Sequence, residues 1–123
     1  MNGEQQLREQ IVEAGKRLKE RFFVAANDGN ISARLPGDRF LITPTGVNKG
    51  DMNVEMLLTV DEQGEVLSGD LKPTSEMKMH LAVYQQRPDV QALVHAHPPT
   101  ATGFATSRIR LPLMNRCSRL AIM

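Results

Sequence analysis

Two of the three histidines in this chain lie two residues apart, in an apolar run that ends in proline. The run is Leu93–Pro98, and its histidines are His95 and His97. In an extended strand, side chains two residues apart point to the same face, so both imidazoles face one point. Converging nitrogen ligands suit a divalent metal ion, and Pro98 places the pair at a strand end, where sites open. The alternative is a pair of strand histidines hydrogen-bonded at a sheet edge.

A glutamate upstream of the histidines could supply proton transfer beside such a metal ion. Glu76 follows a Lys-Pro-Thr-Ser segment at the predicted start of a helix. A carboxylate in this setting can act as a general acid or base. A glutamate in a first helical turn is also favoured simply by the helix dipole, so this alternative stays open. His80, one turn further on the same helix face, is expected to be a partly buried, hydrogen-bonded histidine and not a ligand.

The composition is that of one globular domain without features for nucleic acid or membranes. Hydrophobic residues make up 41% of the 123 residues and charged residues 24%, so the chain can form a single core. The net charge of +1 gives no electrostatic footprint for nucleic acid. No apolar run approaches the roughly 20 residues that span a bilayer. The polar N-terminus, which lacks a signal peptide's apolar region, and the lone Cys117 predict a cytoplasmic protein.

The hydrophobic pattern predicts a mixed α/β domain with several antiparallel strands between its helices. The predicted strands are 31–35, 39–43, 57–60, 65–67 and 90–97. The predicted helices are 4–26, a short turn within 51–56, a helix from a cap at Thr74 or Ser75 to Gln86, and 100–106. The first helix should bury a stripe at helical spacing: Leu7, Ile11, Leu18 and Phe22.

Three short loops of small residues offer hydroxyl or amide side chains and accessible backbone N–H groups to an anion. These loops are Gly29-Asn30, Thr45-Gly46 and Thr74-Ser75. The third loop also lies at a predicted helix N-terminus, where the helix dipole and free N–H groups favour a phosphate or carboxylate. A turn at the first loop and helix capping at the third are the plainer explanations. The occurrence of all three loops together with the histidines favours a binding site.

Four short motifs stand along the chain in a definite order and spacing. They are GNIS at 29–32, ITPTG at 42–46, KPTSE at 72–76 and HAHP at 95–98. Over about residues 5–105 they resemble the class II aldolase/adducin family, and within it the L-fuculose-phosphate aldolase branch most. The resemblance implies that residues 1–123 form a single domain, a three-layer α/β/α fold with a mostly antiparallel central sheet. It also implies a divalent metal cofactor, usually Zn²⁺, and a cyclic homotetramer with sites between subunits.

The resemblance implies roles for individual residues. His95 and His97 match two of the family's three histidine ligands, and Glu76 matches a catalytic acid/base that can also touch the metal. The positions that match the family's phosphate-binding residues are Gly29, Asn30, Thr45, Gly46, Thr74 and Ser75. The implied lyase reaction is the reversible cleavage of a ketose 1-phosphate, such as L-fuculose 1-phosphate. Its products are dihydroxyacetone phosphate and an aldehyde, formed through a zinc-stabilised enediolate.

Departures from the family pattern keep other functions open. Glu76 fits the aldolases, whereas the related ribulose-phosphate 4-epimerases carry an aspartate there. An epimerase or a dehydratase of the same superfamily is the alternative to an aldolase. No histidine follows His97 before the chain ends at Met123. The C-terminal part of the family domain, with the third histidine ligand, is therefore expected to be missing. A non-catalytic adducin-like domain is a further alternative, and the isolated chain is expected to bind metal weakly and turn over slowly or not at all.

Overall fold

Residues 2–110, which a computed structural model describes, form one antiparallel sheet flanked by helices. The strands are β1 (Asn30–Leu35), β2 (Arg39–Ile42), β3 (Leu58–Asp61), β4 (Val66–Ser68) and β5 (Ala92–His95). The helices are α1 (Gly3–Glu20), α2 (Met77–Gln86) and α3 (Pro99–Thr106), with a 3₁₀ turn at Val54–Met56. The strand order is β4-β3-β2-β1-β5, and each neighbouring pair is antiparallel. Cys117 lies outside the described residues.

Apolar side chains alternate to both faces of the sheet, so each face is covered by a helix. The core under α1 consists of Ile11, Ile31, Ala33, Leu35, Leu41, Met52 and Leu57. The core under α2 consists of Phe40, Ile42, Leu58, Val60, Leu81 and Tyr84. Because Leu41 belongs to the first core and its neighbours Phe40 and Ile42 to the second, β2 is buried on both sides. These layers form the predicted three-layer α/β/α arrangement with an antiparallel sheet.

The first helix is shorter than predicted, because it ends at Glu20 and not near Ala26. Phe22 adopts a left-handed conformation with φ of +60°, and the N–H of Phe23 donates to the carbonyl oxygen of Leu18 at 3.0 Å. These features form a Schellman motif, which closes the helix. Phe22 is therefore 78% exposed and does not belong to the buried stripe. The rest of the predicted stripe packs on the core: Leu7, Ile11 and Leu18.

The strand that carries the histidines is also shorter than predicted, since it spans Ala92–His95 instead of 90–97. Its partner β1 begins at Asn30, which pairs with His95, so the ladder between the two strands stops there. The N–H of His97 donates to the carbonyl oxygen of Phe23 at 2.7 Å. His97 therefore lies beyond the strand, attached to the loop that follows α1.

Gly15 lies where α1 meets the backbone at Lys49. A Cβ atom at position 15 would lie 2.1 Å from the carbonyl oxygen of Lys49, so Gly15→Ala must push the helix and this segment apart. Although alanine is the better helix former, we expect Gly15→Ala to lower the free energy of unfolding by about 1–3 kcal/mol in urea denaturation. The matched control is Gly3→Ala in the same helix, because a Cβ atom at position 3 meets nothing within 4 Å. Equal stability of the two variants would contradict this prediction.

Candidate active site

The predicted site loops and histidines gather at one end of the sheet. Because β1 is antiparallel to both β2 and β5, its first residue lies beside the ends of the other two strands. Asn30 pairs with His95 on one side. On the other side, the N–H of Thr43 donates to the carbonyl oxygen of Ile31 at 3.0 Å, and Oγ1 of Thr43 accepts from the N–H of Ile31 at 3.1 Å. Strand pairing therefore brings the first loop, the second loop and His95 together.

The second and third loops are joined by backbone hydrogen bonds. The N–H of Thr45 donates to the carbonyl oxygen of Lys72 at 2.9 Å, and the N–H of Thr74 donates to that of Thr43 at 3.0 Å. An isolated β-bridge lies between these two bonds. The Thr45-Gly46 loop therefore lies against the Thr74-Ser75 loop, although nearly thirty residues separate them in the chain.

Helix α2 begins after the cap that the sequence predicts, so the prediction of a cap at Thr74 or Ser75 is wrong. Glu76 is the N-cap residue and makes no side-chain cap bond, and the helix begins at Met77. The hydroxyl of the buried Thr74 accepts from the N–H of Glu76 at 3.3 Å, because the backbone makes a turn there before it becomes helical. Ser75 and Glu76 are exposed at this end of α2.

The two glycines of the predicted anion loops serve different purposes. Gly29 has φ of +79°, and a Cβ atom there would lie 2.5 Å from Cγ1 of Val24 and 3.1 Å from the carbonyl oxygen of His95. A side chain at Gly29 would therefore clash with Val24 and crowd the backbone of β5. Gly46 also has a positive φ of +73°, but a Cβ atom there would meet nothing within 4 Å. Gly29 permits close backbone packing, whereas Gly46 leaves space beside its loop.

The two predicted metal ligands lie next to each other. The ring centroids of His95 and His97 are 5.0 Å apart, and the ring planes are tilted by 46°. Nδ1 of His95 is buried and has no hydrogen-bond partner within the described part of the chain. Such a buried polar atom costs about 1–3 kcal/mol unless a ligand binds it. His97 is exposed. The pair therefore presents one unused, buried nitrogen beside an accessible imidazole.

These residues fit part of a metal site. A zinc ion suits imidazole nitrogen, and a protein site usually supplies at least three ligands. Within residues 2–110, no three side chains of His, Cys, Asp or Glu lie close enough to hold a metal ion together. Glu76 is therefore not gathered with His95 and His97 into one ligand set. The zinc site and the role of Glu76 stay predictions.

His80 is buried behind the site in a chain of hydrogen bonds, as the sequence predicts for this histidine. Its Nδ1 lies 2.6 Å from Oγ of Ser32, and that oxygen lies 2.7 Å from the hydroxyl of Tyr84. Its Nε2 is hydrogen-bonded to Oδ1 of Asn30. Burial, and secondly the charge of His95, lowers the pKa of His80 from 6.5 to about 4. His80 is therefore neutral at pH 7.

Lys49 is a buried charged residue that no sequence pattern indicates. It is 1% exposed, and its Nζ donates to the carbonyl oxygens of Val47 at 2.5 Å and Asn27 at 3.4 Å. Burial lowers the pKa of Lys49, and the charge of Asp28 opposes that effect. The ammonium group thereby connects the segment before Gly29 with the segment after the second loop. A single lysine between polar residues carries no signal for burial, so only the three-dimensional contacts reveal it.

A family model described as "Class II Aldolase and Adducin N-terminal domain" matches residues 9–121. The chain belongs to this family. The match confirms the resemblance seen in the four motifs, and it ends at residue 121, beyond the end of the range 5–105 expected for that resemblance. The family site residues, however, are still assigned to this chain by motif alone.

Three curated relatives with different activities match this chain at similar identity. A 3-oxo-tetronate 4-phosphate decarboxylase of Haemophilus influenzae is 39% identical over 80% of this chain and 46% of its own length. A methylthioribulose-1-phosphate dehydratase of Pseudoalteromonas translucida is 39% identical over 76% and 44%. An L-fuculose phosphate aldolase of Methanococcus maripaludis is 41% identical over 78% and 52%. The chain spans about half the length of these relatives, and their similarity does not single out one activity.

A solved structure confirms the fold. YgbL from Klebsiella pneumoniae superimposes with a TM-score of 0.82 and 39% sequence identity, covering 88% of this chain and 52% of that protein. The three-layer fold with an antiparallel sheet is therefore shared with this solved structure.

The neutral, buried His80 makes stability depend on pH. In the unfolded chain this histidine gains a proton around its ordinary pKa of 6.5, but in the folded chain only near 4. The unfolded state therefore binds more protons in this interval, and the free energy of unfolding should fall as the pH drops from about 6.5 to 4. The contribution of His80 should be roughly 3 kcal/mol in urea denaturation at stepped pH.

The variants His80→Gln and His97→Gln separate this effect from other titrations. In His80→Gln, the free energy of unfolding should change little between about pH 6.5 and 4. In His97→Gln, which replaces an exposed histidine, the pH dependence should be preserved. In the wild-type protein, NMR should show the His80 ring neutral down to about pH 4. A ring that titrates near 6.5 would contradict the prediction.

Proposed function

We propose that this chain provides the metal-binding and phosphate-binding residues of a sugar-phosphate lyase. The observation that carries the proposal is Nδ1 of His95, which is buried and has no hydrogen-bond partner among residues 2–110. It lies beside His97, at the sheet end where three small-residue loops meet. A nitrogen buried without a protein partner is rare in folded proteins, and it calls for a water molecule or a ligand. Its place next to a second imidazole favours a divalent metal, for which we propose Zn²⁺.

The loops around the histidines suit the phosphate of the substrate. The proposed anion-binding residues are Gly29, Asn30, Thr45, Gly46, Thr74 and Ser75. Hydrogen bonds tie the second and third loops together, and Gly46 leaves free space beside them. Ser75 is exposed just before α2, where the N-terminal end of the helix attracts negative charge. A small sugar carrying one phosphate matches this arrangement.

The residues divide the chemistry between them. His95 and His97 would hold a divalent ion, which when bound would supply Lewis-acid stabilisation of negative charge on the substrate. Glu76, exposed at the N-cap of α2, would hold or move the proton at the reacting carbon. In aldol cleavage, one fragment becomes the aldehyde as its hydroxyl group loses a proton, and the electrons of the broken carbon–carbon bond stay on the carbon beside the carbonyl group. Glu76 would deliver a proton to that carbon, so the net proton transfer is from the hydroxyl group to the carbon. In the condensation direction, it would remove that proton from the same carbon.

Aldol cleavage of a ketose 1-phosphate to dihydroxyacetone phosphate and an aldehyde is the specific reaction we propose. The glutamate at position 76 supports it against an epimerase, and the intact histidine pair supports an enzyme against a non-catalytic adducin-like domain. Dehydration of a ketose phosphate and decarboxylation of a 3-oxo acid phosphate are second candidates, favoured by the 39% identity to a dehydratase and a decarboxylase. The decarboxylase was not among the alternatives that the sequence suggested. All three reactions develop negative charge on a carbon beside a carbonyl group, so one site could serve each.

We further propose that the site is completed by additional protein. Two imidazoles leave a metal ion short of ligands, so a further ligand would come from outside residues 2–110 or from a second copy of the chain. A homotetramer with sites between subunits would meet this need.

Within the described residues, the helices are too short or too polar to cross a bilayer. A cytoplasmic location stays a prediction.

Metal binding is the first test, because it does not require turnover. Isothermal titration of the purified chain with Zn²⁺ should show binding that His95→Ala and His97→Ala each weaken by about tenfold or more. Glu55→Gln is the control, since Glu55 is exposed in the 3₁₀ turn and belongs to none of the three loops. Wild-type affinity in both histidine variants would refute the proposed metal site.

Turnover tests the reaction and the role of Glu76. The zinc-loaded chain is incubated with a ketose 1-phosphate and with a 3-oxo acid phosphate, and dihydroxyacetone phosphate, carbon dioxide and dehydrated product are measured. We expect slow formation of dihydroxyacetone phosphate, because the ligand set is incomplete. Glu76→Gln should lower kcat by about 10²–10⁴, and the matched control Glu55→Gln should leave it unchanged. Formation of carbon dioxide instead would favour the decarboxylation reaction, and formation of the dehydrated product would favour the dehydration reaction.

A further inference from the structure

We propose that a one-way chain of hydrogen bonds from Tyr84 through Ser32 and His80 fixes the side-chain amide of Asn30, so that its NH₂ group faces the substrate anion. These three residues would be positioning residues, since none of them is placed at the substrate. The inference rests on the proposed function, in which Asn30 is a phosphate-binding residue. It adds the reason why Asn30 presents a donor and not an acceptor.

The chain of hydrogen bonds could run in either of two directions. In the forward direction, Tyr84 donates to Oγ of Ser32, Ser32 donates to Nδ1 of His80, and Nε2–H of His80 donates to Oδ1 of Asn30. In the reverse direction, the amide of Asn30 is turned and donates to Nε2, and His80 carries its proton on Nδ1. A neutral imidazole has one N–H, so His80 cannot donate at both ends.

The buried end of the hydrogen-bond series, at Tyr84, decides between the two directions. Tyr84 is 3% exposed, and within residues 2–110 its hydroxyl is hydrogen-bonded to Ser32 alone. In the reverse direction its O–H would be a buried donor without an acceptor, which is strongly unfavourable. In the forward direction that proton is used, and only an acceptor lone pair is left over. The forward direction is therefore favoured, and it requires the Nε2–H tautomer of His80.

The direction sets what Asn30 offers at the site. Asn30 is 4% exposed and pairs with His95 at the start of β1, so it lies directly beside the proposed metal ligands. When Oδ1 accepts from His80, the two N–H groups of the amide remain for a ligand. A phosphate oxygen accepts hydrogen bonds and cannot donate them when ionised. The reversed amide would present its oxygen and repel the anion.

NMR of the ¹⁵N-labelled chain tests the direction without activity or metal. Long-range ¹H–¹⁵N correlation spectra at pH 7 should show the proton of His80 on Nε2. A proton on Nδ1 would overturn the inference. This readout concerns His80 itself, so it is independent of whether the chain is an aldolase.

Tyr84→Phe tests the cause of the direction. The ring that stacks on Phe40 at 4.7 Å is kept, but the O–H that forces the direction is lost. We expect a mixture of His80 tautomers and a several-fold weaker affinity for inorganic phosphate. The matched control is Phe40→Leu, which changes the ring stacked on Tyr84 but removes no hydrogen-bonding group. This variant should leave tautomer and affinity unchanged. An unchanged tautomer in Tyr84→Phe, or an equal loss of affinity in Phe40→Leu, would overturn the inference.

Asn30→Asp separates failure of the inference from failure of the proposed function. Aspartate keeps the acceptor for His80 but replaces the NH₂ group by a charged oxygen. Phosphate affinity should fall about tenfold or more, because the anion then meets a like charge. Unchanged affinity would remove Asn30 from the phosphate site, and the inference with it, even if His80 carries its proton on Nε2. A proton on Nδ1 together with lost affinity in Asn30→Asp would overturn the inference and leave the phosphate site intact.

Discussion

Antiparallel pairing of β1 with both of its neighbours is the constraint on which the site depends. The pairing sets the start of β1 beside the ends of β2 and β5. Asn30, Thr43 and His95 therefore lie together, although more than fifty residues separate His95 from the other two in the chain. Gly29 favours this close packing, because a side chain there would clash with Val24 and crowd the backbone of His95. The helices then bury the two faces, and α2 brings Glu76 to the same end.

The architecture could be predicted from the sequence because its signals are periodic. Alternation along the strands and the 3.6-residue spacing of Leu7, Ile11 and Leu18 are local properties of the chain. The ends of the helices and strands are harder to predict, because contacts between distant segments determine them. Phe22 takes a left-handed conformation that favours glycine, so its apolar character indicated a longer helix. Likewise, β5 ends at His95 because its partner strand begins at Asn30. The sequence of residues 90–97 does not indicate this strand end.

The candidate site shows the same division between local and distant information. Motif spacing predicted the proximity of His95 and His97, but it did so by strand alternation, whereas His97 is in fact held outside the strand by Phe23. The burial of Lys49 and the directed bonds around His80 could not be predicted, because their partners are backbone carbonyls and side chains from separate elements. Such polar partners leave no periodic trace in a sequence. A buried cation or imidazole is tolerated only when the fold supplies them.

The pairing of β5 also has a consequence for the order in which the protein folds. The contact between Asn30 and His95 closes a loop of more than sixty residues, whereas β1–β2 and β3–β4 are hairpins that form locally. Long-range pairing costs more chain entropy and is slower than hairpin formation. We therefore expect the histidines to join the loops late, after the local hairpins have formed. A ligand that bridges β5 to those loops would stabilise this final docking step, so binding and the completion of folding would be coupled.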